Sequence, residues 1–289
     1  MAGISRRRAL TAAAAGAVIA ILAGCAPAPA TPAPQAPSPA EPFPSEIPAG
    51  VSNFAPEGTS VIFLVRHGRT DANDQNLVQG WSDTPLNAQG QAQAAAAAEA
   101  LKDIQFSSVL TSDLPRARQT TGAILAANAY PIEATDAVEL REQNYGGFDG
   151  YRDVDFFAAL IQAMGYPFDP EKSTDPTDIW SNPDAVAWYN ATTLEERTDA
   201  IALADPQGEA ENWALYSVRM QAAVALISLA AAEPGNSLVV SHGGTIASLL
   251  ELMDPARYDP SVELPNGSVS VVYVTDGVFE IQAIGIPTS

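Results

Sequence analysis

The sequence predicts an α/β fold, a doubly wound, mostly parallel sheet with helices on both faces. Three observations point to it. Short runs rich in β-branched residues alternate with longer runs of helical spacing. Two of the short runs, Val61-Ile62-Phe63-Leu64-Val65 and Ser237-Leu238-Val239-Val240, are almost continuously apolar, as strands buried on both faces are. Each of these two runs leads directly into one of the chain's only 2 histidines, His67 and His242. In an open α/β sheet, ligands bind in the crevice outside the carboxyl ends of the strands. The two imidazoles are therefore expected to share one site.

The elements follow in order. Residues 61–65 are expected to form a central strand. Asn87 can cap a helix through Gln91 to Leu101, where an alanine run favours helix. Ser108 to Thr111 reads as a strand, and Asp113 then caps a helix from about Leu114 to Ala127. That places Arg116 in a first turn, where its side chain and the helix N-terminus can face one anion. Ile132 to Ala134 reads as a short strand. Between Tyr151 and Met164 the spacing of Val154, Phe157, Leu160, Ile161 and Met164 is helical. A stretch near 165–192, rich in Pro, Asp, Asn and Trp, reads as part of a loop-rich insertion spanning about 152–213; Trp180, Trp188 and Tyr189 are expected to pack it, with lining a substrate pocket as the alternative. Glu209 to Ala232 reads as a long helix, Leu238 to Ser241 as a strand and Thr245 to Met253 as a helix. Ser268 to Thr275 and Val278 to Ile284 form a terminal hairpin, with Asp276-Gly277 as its two-residue turn.

The strand-end residues carry chemistry. A neutral imidazole held in one tautomer is a nucleophile. A guanidinium beside it grips a phosphate through two parallel hydrogen bonds. A glycine lets the backbone turn tightly and approach an anion. Arg66-His67-Gly68 thus reads as an anion hole with a nucleophile inside it.

Five ordered segments resemble the histidine phosphatase superfamily, which includes cofactor-dependent phosphoglycerate mutase. They are Arg66-His67-Gly68-Arg69-Thr70 with Asn73, residues 79–87 with Gly90, residues 111–120, Leu140-Arg141-Glu142 with Tyr145-Gly146 and Gly150, and Ser241-His242-Gly243-Gly244. The resemblance implies that His67 attacks phosphorus and becomes a phosphohistidine. It implies that Arg66 and Arg116 hold the phosphoryl oxygens and that His242 adds a donor to the pocket. Arg69, Asn73 and Gly243 are further substrate-binding candidates; for Asn73 a phosphate contact and a purely loop-shaping role are equally open. Arginine and histidine supply the positioning and neutralisation that phosphoryl transfer needs, so no metal and no other cofactor is expected.

The position of the acid divides the family. In the acid-phosphatase and phytase branch an Asp directly follows the second histidine. Gly243 stands there in this chain, which leaves Glu142 as general acid and base, with Glu139 as the substitute if the loop is registered differently. An acid working near neutral pH has to be held partly protonated, and a doubly anionic substrate beside it acts in that direction. Mutases usually read Glu-Arg-His-Tyr-Gly at this loop. The string is Glu142-Gln143-Asn144-Tyr145-Gly146 in this chain, without the basic pair that would help hold a carboxylate. That favours a phosphatase acting on a small phosphorylated substrate. A phosphoglycerate mutase, or a lipoprotein that binds phosphorylated ligands without turnover, are the alternatives.

The N-terminus reads as an address. Arg6-Arg7-Arg8, a small apolar stretch from Thr11 to Ala23, and Leu22-Ala23-Gly24-Cys25 suggest a lipoprotein signal over 1–24 with lipidation of Cys25. The paired arginines leave the general and twin-Arg export routes both open. Residues 25–57 are an Ala/Pro-rich linker, and extended polyproline II at about 3.1 Å per residue gives its tract from 26 to about 50 a reach of up to roughly 70 Å. The expected location is the extracytoplasmic face of a membrane, reached through the lipid anchor only. The catalytic domain is expected over 58–289. With 14 basic against 34 acidic residues, net −20, the chain repels nucleic acid and anionic lipid surfaces.

Overall fold

The computed structural model describes residues 57–259 and 262–288. The signal segment, Cys25 and the linker up to residue 56 lie outside these residues. The sheet has six strands: β1 Ser60–Arg66, β2 Phe106–Thr111, β3 Thr135–Asp136, β4 Asn236–Ser241, β5 Val269–Thr275 and β6 Val278–Ile286. Their order is β3-β2-β4-β1-β5-β6. β3, β2, β4 and β1 are parallel, while β5 is antiparallel to both β1 and β6, so β5 alone is reversed. The eight α-helices among the described residues are α1 Asp71–Asp74, α2 Ala88–Leu101, α3 Pro115–Ala127, α4 Asp153–Ala163, α5 Pro183–Ala191, α6 Leu194–Ala204, α7 Trp213–Ala230 and α8 Gly243–Met253.

Alternation along β1 divides the core. Val61, Phe63 and Val65 pack with Ala97, Leu101 and Ile124 of α2 and α3 on one face. Ile62 and Leu64 pack with Met220, Ile227, Ile246 and Leu249 of α7 and α8 on the other. The sheet is thus doubly wound as its sequence predicts, and β1 is buried along its length because both faces are covered. The hairpin turn also forms as predicted: Asp276 and Gly277 both have positive φ, 52° and 78°, which a tight two-residue hairpin turn demands.

Three local expectations differ. Asp113 does not cap α3; the cap position is Leu114 with no side-chain bond, and Pro115 opens the helix. Asp113 instead takes a two-bond pair with Arg141, at 2.7 and 2.6 Å. The third strand is Thr135–Asp136 rather than 132–134, a two-residue edge too short for its pattern to show. The insertion is loop-rich only in part: residues 165–182 hold just two short 3-10 turns, whereas two helices follow them. Asn182 with Pro183 starts α5, and a Thr193/Glu196 capping box starts α6. α4, α5 and α6 build their own apolar cluster around Phe148, Phe156, Leu160, Ile161 and Trp188.

Candidate active site

Strand register brings the two histidines together. β1 and β4 are adjacent and parallel, with Arg66 opposite Ser241, so the next residues, His67 and His242, leave the sheet side by side. Their ring centroids lie 5.1 Å apart. Both rings are buried, 3 % and 0 % exposed.

The tautomer of each ring follows from its partners. His67 Nδ1 lies 2.7 Å from the Gly68 carbonyl oxygen. A carbonyl only accepts, so Nδ1 carries the proton and Nε2 keeps its lone pair. Burial, then the positive charges of Arg116 and Arg66, hold the His67 pKa well below its ordinary value. The result is a neutral imidazole with a fixed nucleophilic nitrogen. His242 Nδ1 receives Arg116 Nε at 3.1 Å, so its proton sits on Nε2, which donates to Ser112 Oγ at 2.8 Å. Both His242 nitrogens are therefore committed in this structure, and the ring acts on the pocket through Arg116. Burial, Arg116 and His67 keep the His242 pKa well below normal too.

Arg116 is fully buried in the first turn of α3. Nη1 and Nη2 donate to the carbonyls of Ser82 (2.9 Å) and Gly80 (2.7 Å), which leaves one N–H on each. Burial lowers its pKa to about 10, so it stays charged near neutrality. Arg66 donates Nη1 to Leu264 O at 2.6 Å, while its buried Nε has no partner among the described residues. The two glycines after His242 have separate reasons. A Cβ on Gly243 would meet the Arg66 guanidinium at 3.3 Å, and one on Gly244 would meet Glu142 Oε1 at 2.7 Å.

Glu142, 7 % exposed, caps α8 from 102 residues away. Oε2 accepts from Gly244 N at 2.9 Å and Oε1 from Thr245 N at 3.0 Å. Oε1 also accepts from Gln143 N at 2.9 Å. Oε1 is thereby filled, and Oε2 retains an open lone pair on which a proton can sit. The acid loop is held from beneath by Arg219. Its Nη1 donates to the Glu139 and Arg141 carbonyls at 3.0 and 2.8 Å, its Nη2 to the Glu142 carbonyl at 3.2 Å. Glu211 pairs with Arg219 at 2.6 Å, both nearly buried. Glu139 thus contributes its carbonyl to this clamp, and Glu142 is the carboxylate placed at the start of α8.

The remaining candidates lie further out. Arg69 is half-exposed and pairs with Asp74 at the rim. Asn73 Oδ1 receives Thr70 N (3.2 Å) and Asn266 Nδ2 (3.2 Å) in a capping box; the side chain shapes its loop, and its Nδ2 makes no hydrogen bond to the described residues. Several further residues of the site had no role assigned from the sequence. Ser112 orients His242, and Thr120 Oγ1 accepts from Gly68 N at 3.0 Å. The Glu211–Arg219 pair and Tyr145, whose hydroxyl makes no hydrogen bond to the described residues, were likewise unmarked. Ser112, Thr120 and Tyr145 do lie inside the motif segments, which was their one clue.

The family model for the histidine phosphatase superfamily, branch 1, matches residues 62–177 and 181–287. The chain belongs to this superfamily. Its members include phosphatases and mutases, among them an uncharacterized phosphatase, PhoE, of Bacillus subtilis, 33 % identical over 142 residues, 49 % of this chain and 61 % of that protein. A 2,3-bisphosphoglycerate-dependent phosphoglycerate mutase of Gloeobacter violaceus is 27 % identical over 228 residues, 78 % of this chain and 88 % of that one. The phosphoglycerate mutase structure from Bacillus anthracis superimposes with TM-score 0.66 at 29 % identity, covering 79 % of this chain and 93 % of that one. The chain spans 61 % or less of the length of the first curated relatives it matches.

Burying two neutral histidines couples stability to pH. Unfolded, each imidazole titrates near about 6.5, whereas in the folded superfamily domain both stay neutral to well below that. Below that pH the unfolded chain binds protons that the folded chain does not, so stability falls as pH falls. The slope is up to about 1.4 kcal/mol per pH unit for each histidine, and this contribution is flat above about pH 7.5. Urea unfolding between about pH 7.5 and 5.5 reads the slope, which His67→Ala is expected to halve.

Proposed function

We propose that the protein is a phosphatase that hydrolyses small phosphate monoesters through a phosphohistidine at His67. The observation that carries this reading is the fixed tautomer of His67. Its Nδ1 proton is held by the Gly68 carbonyl, and Nε2 is left bare near the buried Arg116 and the part-buried Arg66. In the first step Nε2 attacks phosphorus, the P–O ester bond breaks, and the leaving oxygen takes a proton from Glu142 Oε2. In the second, Glu142 takes a proton from water, the water oxygen bonds to phosphorus, and the P–N bond breaks to release inorganic phosphate. Arg66, Arg116 and the unpaired Gly243 N–H at the start of α8 neutralise the equatorial oxygens. The donor set calls for no metal.

A bisphosphoglycerate-dependent mutase is the second reading, favoured by the Gloeobacter violaceus and Bacillus anthracis relatives. Against it stand Gln143 and Asn144, which put neutral amides where a carboxylate-bearing substrate is served by cations. Phosphate release from an ester panel in EDTA separates the two. Steady release that is indifferent to bisphosphoglycerate supports the phosphatase; isomerisation of monophosphoglycerate that depends on bisphosphoglycerate establishes the mutase.

The proposal includes export and anchoring at the outer face of a membrane through acylated Cys25, supported by the sequence around that residue. Cys25→Ser is expected to move the protein from the detergent phase to the aqueous phase on partitioning. Wild type that partitions into the aqueous phase would refute the anchor.

A further inference from the structure

A cavity of about 190 Å³ lies beside the catalytic acid, walled by α4, α5, α6 and α8. Phe156, Phe157, Leu160, Trp188 and Ile201 supply its apolar wall. Trp188 and Tyr189, for which packing the insertion is the first expectation and lining a pocket the alternative, line it too. Its inner rim is Gln143, Tyr145 and Gly244, the residues that surround the Glu142 carboxyl.

We propose that this cavity receives the alcohol part of the substrate, and that this alcohol is compact, uncharged and largely apolar: a single aryl ring or a short alkyl chain. The direction rests on the phosphatase reading above. In an in-line displacement the leaving oxygen lies opposite the attacking nitrogen. Its proton donor is Glu142 Oε2, which is held by the N–H of Gly244. The carbon attached to that oxygen therefore extends past Gly244 into the cavity.

Polarity and size define the class. Gln143 is 6 % exposed, and its Nε2 is buried without a partner. The Tyr145 hydroxyl beside it is also without one among the described residues. Both are neutral donors, suited to the ester oxygen. Among the described residues that line the cavity, Arg197 is the one cation, and it is committed. It stacks on the Tyr189 ring at 4.1 Å and donates to the Tyr189 carbonyl at 3.2 Å and to the Thr192 carbonyl. Glu251 adds a negative charge to the wall. A carboxylate or second phosphate would be buried there without a counter-ion, which is strongly unfavourable. The volume is close to that of an apolar cavity of about 150 Å³ that accepts one benzene ring.

Straight-chain alkyl phosphates from methyl to octyl test this, because their leaving alcohols differ little in acidity. Wild-type kcat/KM is measured for each, and direct binding to His67→Ala is measured by calorimetry. Both are expected to rise about fourfold per methylene and to level off once the cavity is full, with 3-phosphoglycerate and glycerol 3-phosphate at the bottom of the scale. Ala247→Leu, which projects new carbon into the cavity from α8, is expected to cut the octyl-to-methyl ratio at least tenfold. A flat series in both measurements, or a preference for the charged esters, overturns the assignment. Affinity that climbs with chain length without turnover of any ester refutes the phosphatase reading and upholds the pocket; turnover with flat affinity does the reverse.

Discussion

His67→Ala is expected to lower kcat by about 10⁴- to 10⁶-fold, the range seen when a covalent nucleophile is removed, and to leave KM within a few-fold of wild type. The split follows from the division of labour at the strand ends. On the proposed reading, ground-state binding rests on Arg66, Arg116 and the N-terminus of α8, and none of these is anchored by the His67 ring. Arg116 is fixed by the Ser82 and Gly80 carbonyls and by His242; Arg66 is fixed by the Leu264 carbonyl. The His67 ring bonds only its own loop, at the Gly68 carbonyl. Removing it deletes the nucleophile and leaves the cradle standing. Brief reaction with ³²P-labelled ester, quenched in alkali, is expected to label the wild type with acid-labile phosphate and to leave the variant unlabelled. A variant that turns over within tenfold of wild type would mean that water attacks the ester directly and that no phosphohistidine forms.

Much of this site was legible in the sequence because its parts are local. A buried strand followed by Arg-His-Gly places its own imidazole, and strand register then brings two such loops side by side without further information. Arg116 was legible although the cap was not: the helix expected from about Leu114 opens at Pro115, and Arg116 falls in its first turn on either start. What was not legible depends on partners far along the chain. Asp113 has the chemistry of a cap, yet it pairs with Arg141 across 28 residues, and no local pattern marks that choice. Glu142 was recognisable as an acid but not as the cap of α8, because the N–H groups it receives follow His242. The Glu211–Arg219 clamp sits in a helix whose spacing announces only an apolar face. The insertion misled through composition. Its Pro and Asn residues read as loop, whereas Asn182-Pro183 and Thr193 with Glu196 are helix starts. Its aromatic residues then serve the cavity as well as the packing, a distinction that spacing cannot draw.

Glu142→Gln separates the two duties of the acid. The variant keeps one carbonyl oxygen to accept from Thr245 and Gln143, but its amide NH₂ faces the Gly244 N–H, donor against donor. The start of α8 therefore loses a charged acceptor, at a cost of about 1–3 kcal/mol. That loss is structural and weighs on every substrate alike. The catalytic loss does not. Alkyl esters leave as strongly basic alkoxides and need the proton during bond cleavage, so their kcat is expected to fall about 10²- to 10⁴-fold. A nitrophenyl ester leaves as a stabilised phenolate that needs little protonation, so its phosphorylation step is expected to fall by less than about tenfold. Pre-steady-state kinetics then shows a burst of nitrophenol ahead of a slow steady state, because the second step still lacks a base for the attacking water. Equal losses on alkyl and nitrophenyl esters, with no burst, would assign Glu142 to holding α8 alone and would require another proton donor. The geometry favours the unequal result: Oε1 is filled by backbone donors, and the one open lone pair of the carboxylate lies on Oε2, next to the N-terminus that receives the phosphoryl group.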